Sequence, residues 1–146
     1  MNLPVRGDSE MDERAPVDLI HLSDGEDVSL VLRAVGPPGV LLGPIRAECL
    51  IRADFVQARL DTHIWPDLLD EWEEALVRLG AGEGAGWAQS GRGLRLYLHP
   101  SDSGRLSLSV HDPDRLTVAL GLEPPPQWIE EHEIRLRRMR EVYGES

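Results

Sequence analysis

The feature that most constrains this chain is the segment from Trp65 to Gly80, WPDLLDEWEEALVRLG, which has the spacing of an amphipathic helix. Its apolar residues recur at intervals of three and four positions, and on a helix they form one stripe that must be buried. Pro66 suits the first helical position, and Gly80 is a common stop signal. The segment therefore predicts a helix that lies across a sheet and supplies half of the core. The stripe comprises Leu68, Leu69, Trp72, Ala75, Leu76 and Leu79.

The segments on either side of this helix alternate apolar and polar residues, which is typical of half-buried β-strands. Within 45–64 the apolar parity switches between Phe55 and Val56, which predicts a bulge or a sharp corner. Three prolines then precede a second predicted helix, 127–143, with acidic residues at its start and arginines at its end. The pattern predicts an α+β fold: an antiparallel β-sheet of about six to eight strands with two helices packed on one face. The other strand-like runs are 17–22, 28–35, 94–98, 106–110 and 116–122.

Length and composition indicate one domain after a short tail. Residues 1–16 are acidic and poor in large apolar side chains, so we expect a disordered acidic tail. Residues 17–146 are expected to form a single α+β domain that is large enough to bury a core without disulfides. Neither a signal peptide nor a run of ~20 apolar residues is recognisable, which predicts a cytoplasmic protein that does not bind membranes.

The charge and the residue usage exclude several chemistries. A net charge of −11 argues against a nucleic-acid partner or an anionic membrane surface. All 15 cationic side chains are arginines, so neither a Schiff-base lysine nor a P-loop lysine is possible. The single cysteine, Cys49, excludes an internal disulfide and a cysteine-based zinc site, and its strand-like surroundings favour a buried thiol.

No motif assembles a recognised catalytic or metal site. The glycine-rich run 80–93 follows a helix and precedes a strand, the reverse of the order in phosphate-binding loops, which predicts a turn. The histidines lack zinc-site spacing, and a metal would require Asp61 and His63 to meet the turn 111–114. A turn aspartate that bonds its own backbone explains that turn more simply. We therefore expect no metal, no cofactor and no catalytic residue, and an enzyme is less expected than a binding protein.

Trp65 is the strongest candidate for a binding residue. It occupies the N-cap region of the first predicted helix, where Ser, Thr, Asp or Asn is expected, and tryptophan commonly anchors interfaces. The second helix carries the only dense positive patch in the sequence, Arg135, Arg137, Arg138 and Arg140, which could pair with the acidic tail of its own or another copy. The predicted binding residues are Trp65, His63, Arg95, Arg135 and Arg138.

Several separated motifs resemble a known family. They are Asp18–Gly25 (DLIHLSDG), then Pro66, Leu68, Leu69, Trp72 and Leu76, then Gly82, Trp87 and Gly91–Gly93, and finally Trp128, Ile129, His132, Arg135 and Leu136. Together they resemble a small uncharacterised family common in actinomycetes, known only as a domain of unknown function, over roughly residues 17–143. That family tends to have a small polar residue where this chain has Trp65. The resemblance implies no activity, and the layout resembles that of immunity and accessory factors of bacterial conflict systems by analogy alone.

Three functions follow as hypotheses. The leading one is a non-enzymatic, immunity-like or accessory module that binds a protein partner, expected to be basic because complementary charge favours association. The first alternative is a small-ligand-binding protein or a hydrolase on the polar strand face, which would use His63, His99 or His111 together with Arg95. The second alternative is a structural subunit that associates with copies of itself.

Overall fold

The computed structural model of the chain describes residues 17–37, 43–88 and 93–143. The predicted acidic tail, 1–16, lies outside the described residues and stays a prediction. No helix among the described residues is both long and apolar enough to cross a membrane. The elements are β1 (Val17–Ser23), β2 (Ser29–Ala34), β3 (Ile45–Ala53), β4 (Val56–Ile64), α1 (Pro66–Gly80), β5 (Ala85–Trp87), β6 (Arg95–Pro100), β7 (Leu106–Asp112), β8 (Leu116–Leu122) and α2 (Trp128–Tyr143).

The strands of the described residues form two antiparallel four-stranded sheets. Sheet A has the order β1-β2-β3-β4 and sheet B the order β5-β6-β7-β8, so each strand pairs with its neighbour in sequence. The α+β class, the antiparallel strands and the two helices are confirmed. The strands divide into two sheets because α1 separates β4 from β5. Strand alternation specifies which face is buried and carries no information on such a break.

The parity switch in 45–64 results from a tight hairpin. Ala53 pairs with Val56, so Asp54 and Phe55 form a two-residue turn between β3 and β4. After a turn of two residues, the apolar positions of the second strand lie on the same face of the sheet as those of the first. A bulge in one continuous strand would produce the same switch of parity. The side chain of Phe55 is 68% exposed at the tip of this hairpin.

The core is one contiguous cluster of buried side chains from both sheets and both helices. Trp72 of α1 is fully buried and packs edge to face against Trp87, with 6.0 Å between the ring centroids. The indole N–H of Trp87 donates to the carbonyl of Leu68 at 2.8 Å, which anchors β5 to the first turn of α1. Burial raises the pKa of the Cys49 thiol to about 12, so this thiol is protonated at neutral pH and packs as a small apolar group.

Helix α2 runs along β1, the strand at one edge of sheet A. The backbone N–H of His21 donates to Nε2 of His132 at 3.0 Å, so a side chain of the helix satisfies a donor of this edge strand. At the other end of α2, the hydroxyl of Tyr143 donates to the carbonyl of Gly36 at 2.7 Å. These contacts fix the helix at both ends and cover an edge that would otherwise be open to pairing with another strand.

Candidate functional site

The junction between β4 and α1 exposes the side chain of Trp65. This residue is the N-cap of α1, with extended backbone (φ −85°, ψ 154°), and its carbonyl accepts the N–H of Leu68 at 2.9 Å. No side chain makes a capping hydrogen bond, so neither the indole nor His63 serves the start of the helix. The Trp65 side chain is 52% exposed. The backbone of Trp65 therefore helps to start the helix, whereas its indole ring does not.

Two polar residues accompany Trp65 on the outer side of sheet A. His63 pairs with Arg46 across β3 and β4, and both side chains are exposed. The extended backbone of Trp65 continues the strand alternation, which places its side chain on the same side as that of His63. We call Arg46, His63 and Trp65 the junction surface. Tryptophan and arginine are the residue types most enriched among the energetically dominant residues of protein interfaces.

Arg95, His99 and His111 lie on the outward side of β6–β8, which we call the polar face of sheet B. Arg95 pairs directly with His111, whereas His99 pairs with Ser107 at the other end of the face. The fourth residue of the hydrolase hypothesis, His63, belongs to sheet A. The structure thus joins Arg95 with His111 in sheet B, whereas His63 lies on sheet A. The outward positions contain no carboxylate: they are Arg95, Tyr97, His99, Ser107, Ser109, His111, Thr117, Ala119 and Gly121.

Several side chains of the polar face have local contacts. Nδ1 of His111 lies 2.8 Å from the hydroxyl of Thr117, and this is the one hydrogen bond of the His111 side chain within the described residues. A nucleophile–base pair needs a third group that orients the base, and His111 has no such carboxylate. The hydroxyl of Tyr97 lies against Gly84, in the space that a Cβ there would fill. The guanidinium of Arg105 covers Gly121 in the same way.

An arginine lies between the strand that contains Asp61 and the turn 111–114, which would have to meet to form a metal site. Nη2 of Arg115 donates to the carbonyl of Asp61 at 2.7 Å and to the carboxylate of Asp112 at 2.8 Å. The strand and the turn therefore do approach each other, through a guanidinium. The hydrogen bond from Arg115 lowers the pKa of Asp112, whose side chain is buried. Across the described ranges, no group of three or more His, Cys, Asp or Glu residues could hold a metal ion.

The arginines of α2 have different surroundings, although two of them, Arg137 and Arg140, line one groove together with residues of α1. Arg140 donates to Asp70 at 2.6 Å and to Glu73 at 2.8 Å, and these two ion pairs connect α2 to α1. Arg138 is exposed. Arg135 is partly buried and donates from Nη1 to the carbonyl of Asp18 over a long 3.4 Å.

Beside Arg135, a cleft of about 400 Å³ opens between the β1–β2 turn, the segment before α2 and the first turns of α2. Its volume is within the range of small-molecule sites. We call it the α2 cleft. The polar and charged side chains that line it are His21, Ser23, Asp24, Glu123, Glu131 and Arg135.

The polar role of His132 was not foreseen from the sequence. In the sequence His132 stands out only as one of the residues that carry the family resemblance, and in the structure it is fully buried on α2. Nδ1 lies 2.7 Å from the carbonyl of Trp128 and Nε2 accepts from His21, so the imidazole is neutral with its proton on Nδ1. Burial lowers the pKa of His132 to about 4. The available signal was a histidine one turn after a tryptophan on an otherwise apolar stripe.

The model of a family of unknown function (DUF5959) matches residues 17–144. This range includes every strand and helix of the described residues, from β1 to α2. No curated protein and no solved structure matches the chain.

Proposed function

The chain belongs to a family of unknown function (DUF5959), and from its own surface we propose that it is a non-enzymatic binding module that engages a protein partner. The observation that carries the proposal is the exposed ring of Trp65. A large aromatic side chain that leaves about half of its surface in water, and that neither caps the helix nor fills the core, gains free energy when a partner covers it.

The helix that begins at the junction surface supports a partner with basic groups. Asp67 and Glu74 are exposed on α1, and Asp67 lies in the first turn of that helix. Exposed carboxylates on the helix that follows an apolar anchor favour a partner that carries arginine or lysine. The net charge of −11 favours the same partner through long-range attraction.

A narrower form of the proposal places the partner in the genetic neighbourhood of this protein. By analogy of size and layout, the module is an immunity-like or accessory factor of a bacterial conflict system, acting in an actinomycete cytoplasm. The acidic charge is consistent with a protein partner and disfavours nucleic acid and membranes. Products of adjacent reading frames are therefore the first partners to test.

The experiment compares two exposed aromatic residues at opposite ends of the β3–β4 hairpin. The protein and its Trp65→Ala and Phe55→Ala variants are used to capture partners from the native cells at physiological salt. The captured protein is then purified, and its affinity is measured by calorimetry. We expect Trp65→Ala to weaken binding at least tenfold and Phe55→Ala to leave the affinity unchanged.

Two results would count against the proposal. One is that no partner is captured, and the other is that both aromatic variants bind equally well. Light scattering on the protein alone separates partner binding from the hypothesis of a self-associating structural subunit. Because Trp65 is half exposed and lies outside the buried cluster, Trp65→Ala should also unfold close to the temperature of the parent protein, so that lost binding reflects a lost contact.

The polar face of sheet B supports a second candidate function, a small-ligand site, whereas a hydrolase on this face would lack the carboxylate that orients a catalytic histidine. The supporting observation is the pairing of Arg95 with His111 on a face whose outward positions carry no carboxylate. A ligand that binds the folded state raises the melting temperature. A thermal-shift screen tests this function, and a shift that His111→Ala abolishes would support it over protein binding.

A further inference from the structure

The α2 cleft is formed by three segments that are far apart in the sequence. Residues 21–25 supply one wall, residues 123–125 a second, and Glu131 and Arg135 on α2 a third. The hydrogen bond from the N–H of His21 to His132 holds the first wall against the helix. The cleft is thus built on a strand and a helix that are tied together, which gives its charged groups fixed positions.

Arg135 is the one arginine among the described residues that line this cleft, and its hydrogen-bonding capacity is largely unused. Its Nε is buried without a hydrogen-bond partner among the described residues, and Nη1 makes only the long contact to the carbonyl of Asp18. The Asp18 carboxylate is committed to Arg33, which donates to it at 2.7 and 3.2 Å. A guanidinium without a carboxylate partner is suited to a planar, bidentate anion.

Three carboxylate side chains also line the cleft. The side chains of Glu123 and Glu131 are exposed, and neither carboxylate makes a hydrogen bond or ion pair within the described ranges. Asp24 accepts the backbone N–H groups of Glu26 and Val28 through one oxygen, at 2.8 and 3.2 Å. These hydrogen bonds lower the pKa of Asp24 and keep it ionised. Among the described residues, the cleft therefore presents one guanidinium and three carboxylates, beside the imidazole of His21 and the hydroxyl of Ser23.

We propose that the α2 cleft binds a small amino carboxylate, that is, a free amino acid or a close analogue. The carboxylate of the ligand pairs with the guanidinium of Arg135, and its ammonium group lies among Glu123, Glu131 and Asp24. A simple anion would meet repulsion from three carboxylates, and a simple cation would leave Arg135 unpaired. A zwitterion satisfies both signs of charge. This site shares no residue with the junction surface and does not depend on the proposed protein binding.

The test is a thermal-shift screen of the free α-amino acids against the full chain, followed by calorimetry on those that bind. Each ligand found is compared with its N-acetyl derivative, which lacks the ammonium group, and with its amide, which lacks the carboxylate. We expect each derivative to bind at least tenfold more weakly than the parent amino acid. A derivative that binds as tightly as the parent would overturn the assignment, and so would a screen in which no amino acid binds.

Two arginines of the same helix supply a matched pair of variants. Arg135→Gln should reduce affinity at least tenfold, whereas Arg138→Gln, which changes an exposed arginine outside the cleft, should leave affinity unchanged. Glu131→Gln should also weaken binding and does not alter the contact between Arg135 and β1. It therefore tests the site even where Arg135→Gln fails to fold. Equal binding by the parent, Arg135→Gln and Glu131→Gln proteins would contradict the proposal.

Discussion

Nε2 of His132 accepts the backbone N–H of His21 at 3.0 Å, and this bond joins the second helix to the edge strand of the first sheet, which Arg135 also contacts. Nδ1 of the same ring lies 2.7 Å from the carbonyl of Trp128. The rings of Trp128 and Trp72 contact it edge to face at centroid distances of 5.8 and 6.3 Å. A protonated imidazole would lose the His21 bond and would place a charge among aromatic rings.

This arrangement predicts that the protein loses stability as the pH falls from neutrality. Burial lowers the pKa of His132 from 6.5 to about 4 in the folded state. The unfolded chain therefore binds a proton first, and the free energy of unfolding decreases from about pH 6.5 down to the folded pKa. A shift of this size corresponds to a loss of about 3 kcal/mol.

Urea unfolding between pH 7.5 and pH 4.5 measures this loss, and an NMR titration of the imidazole carbons measures the pKa directly. His63→Asn is the matched control, because it removes an imidazole that is exposed and lies outside the core. His132→Gln should flatten the dependence between pH 6.5 and pH 5, where few carboxylates titrate. A titration midpoint for His132 near 6.5 would contradict the prediction.

The contact between Glu71 and Ala88 predicts a stabilising substitution. Ala88 has φ of +62°, a conformation that glycine adopts without strain, and its N–H donates to the Glu71 carboxylate at 2.8 Å. Ala88→Gly should raise the free energy of unfolding by up to about 1 kcal/mol. Glu71→Ala should lower it by about 1 kcal/mol. Chemical denaturation measures both, and an Ala88→Gly protein less stable than the parent would show that the packing of the buried Ala88 methyl outweighs the strain of its backbone.

Much of the fold could be predicted from the sequence, because periodicity reports burial directly. The stripe of α1 and the three apolar runs of β6–β8 determine which side of each element faces the core. The division into two sheets and the hairpin at Asp54–Phe55 could not be predicted, because they depend on which strands become neighbours. A parity switch is produced equally by a bulge, a corner and a two-residue turn.

The candidate sites were predictable only as separate residues. The position of Trp65 before a helix start was informative, since a poor N-cap type there suggests a role other than capping. The cleft at Arg135 was not foreseeable, because it requires residues near 21, 123 and 135 to meet. The arginines of α2 look like one patch along the sequence, yet the helix directs them to different surroundings.

The contact of Arg115 with Asp112 predicts a cost when the arginine is removed. Asp112 is buried, and its carboxylate also accepts the N–H of Asp114 at 3.3 Å. Arg115→Gln would leave the charge on this carboxylate without its cation, at a cost of about 1–3 kcal/mol. The double variant Arg115→Gln with Asp112→Asn should recover part of that loss, because the uncompensated charge is gone. Thermal unfolding of the parent, the single variant and the double variant measures the coupling. Equal losses of stability in the single and the double variant would argue against it.

The hydroxyl of Tyr143 predicts how strongly the end of α2 is held. It donates to the carbonyl of Gly36 at 2.7 Å, and the residue is buried. Tyr143→Phe keeps the ring in the core but leaves that carbonyl without its donor, so the free energy of unfolding should fall by about 1–2 kcal/mol. Tyr97→Phe is the matched control, because its ring is half exposed on the polar face of sheet B, and it should change stability by less than about 0.5 kcal/mol. Hydrogen exchange should show faster opening of the last turns of α2 in Tyr143→Phe alone, since local stability there depends on this bond. Equal stability of the two variants would mean that the helix end is fixed by its apolar contacts and not by the hydroxyl.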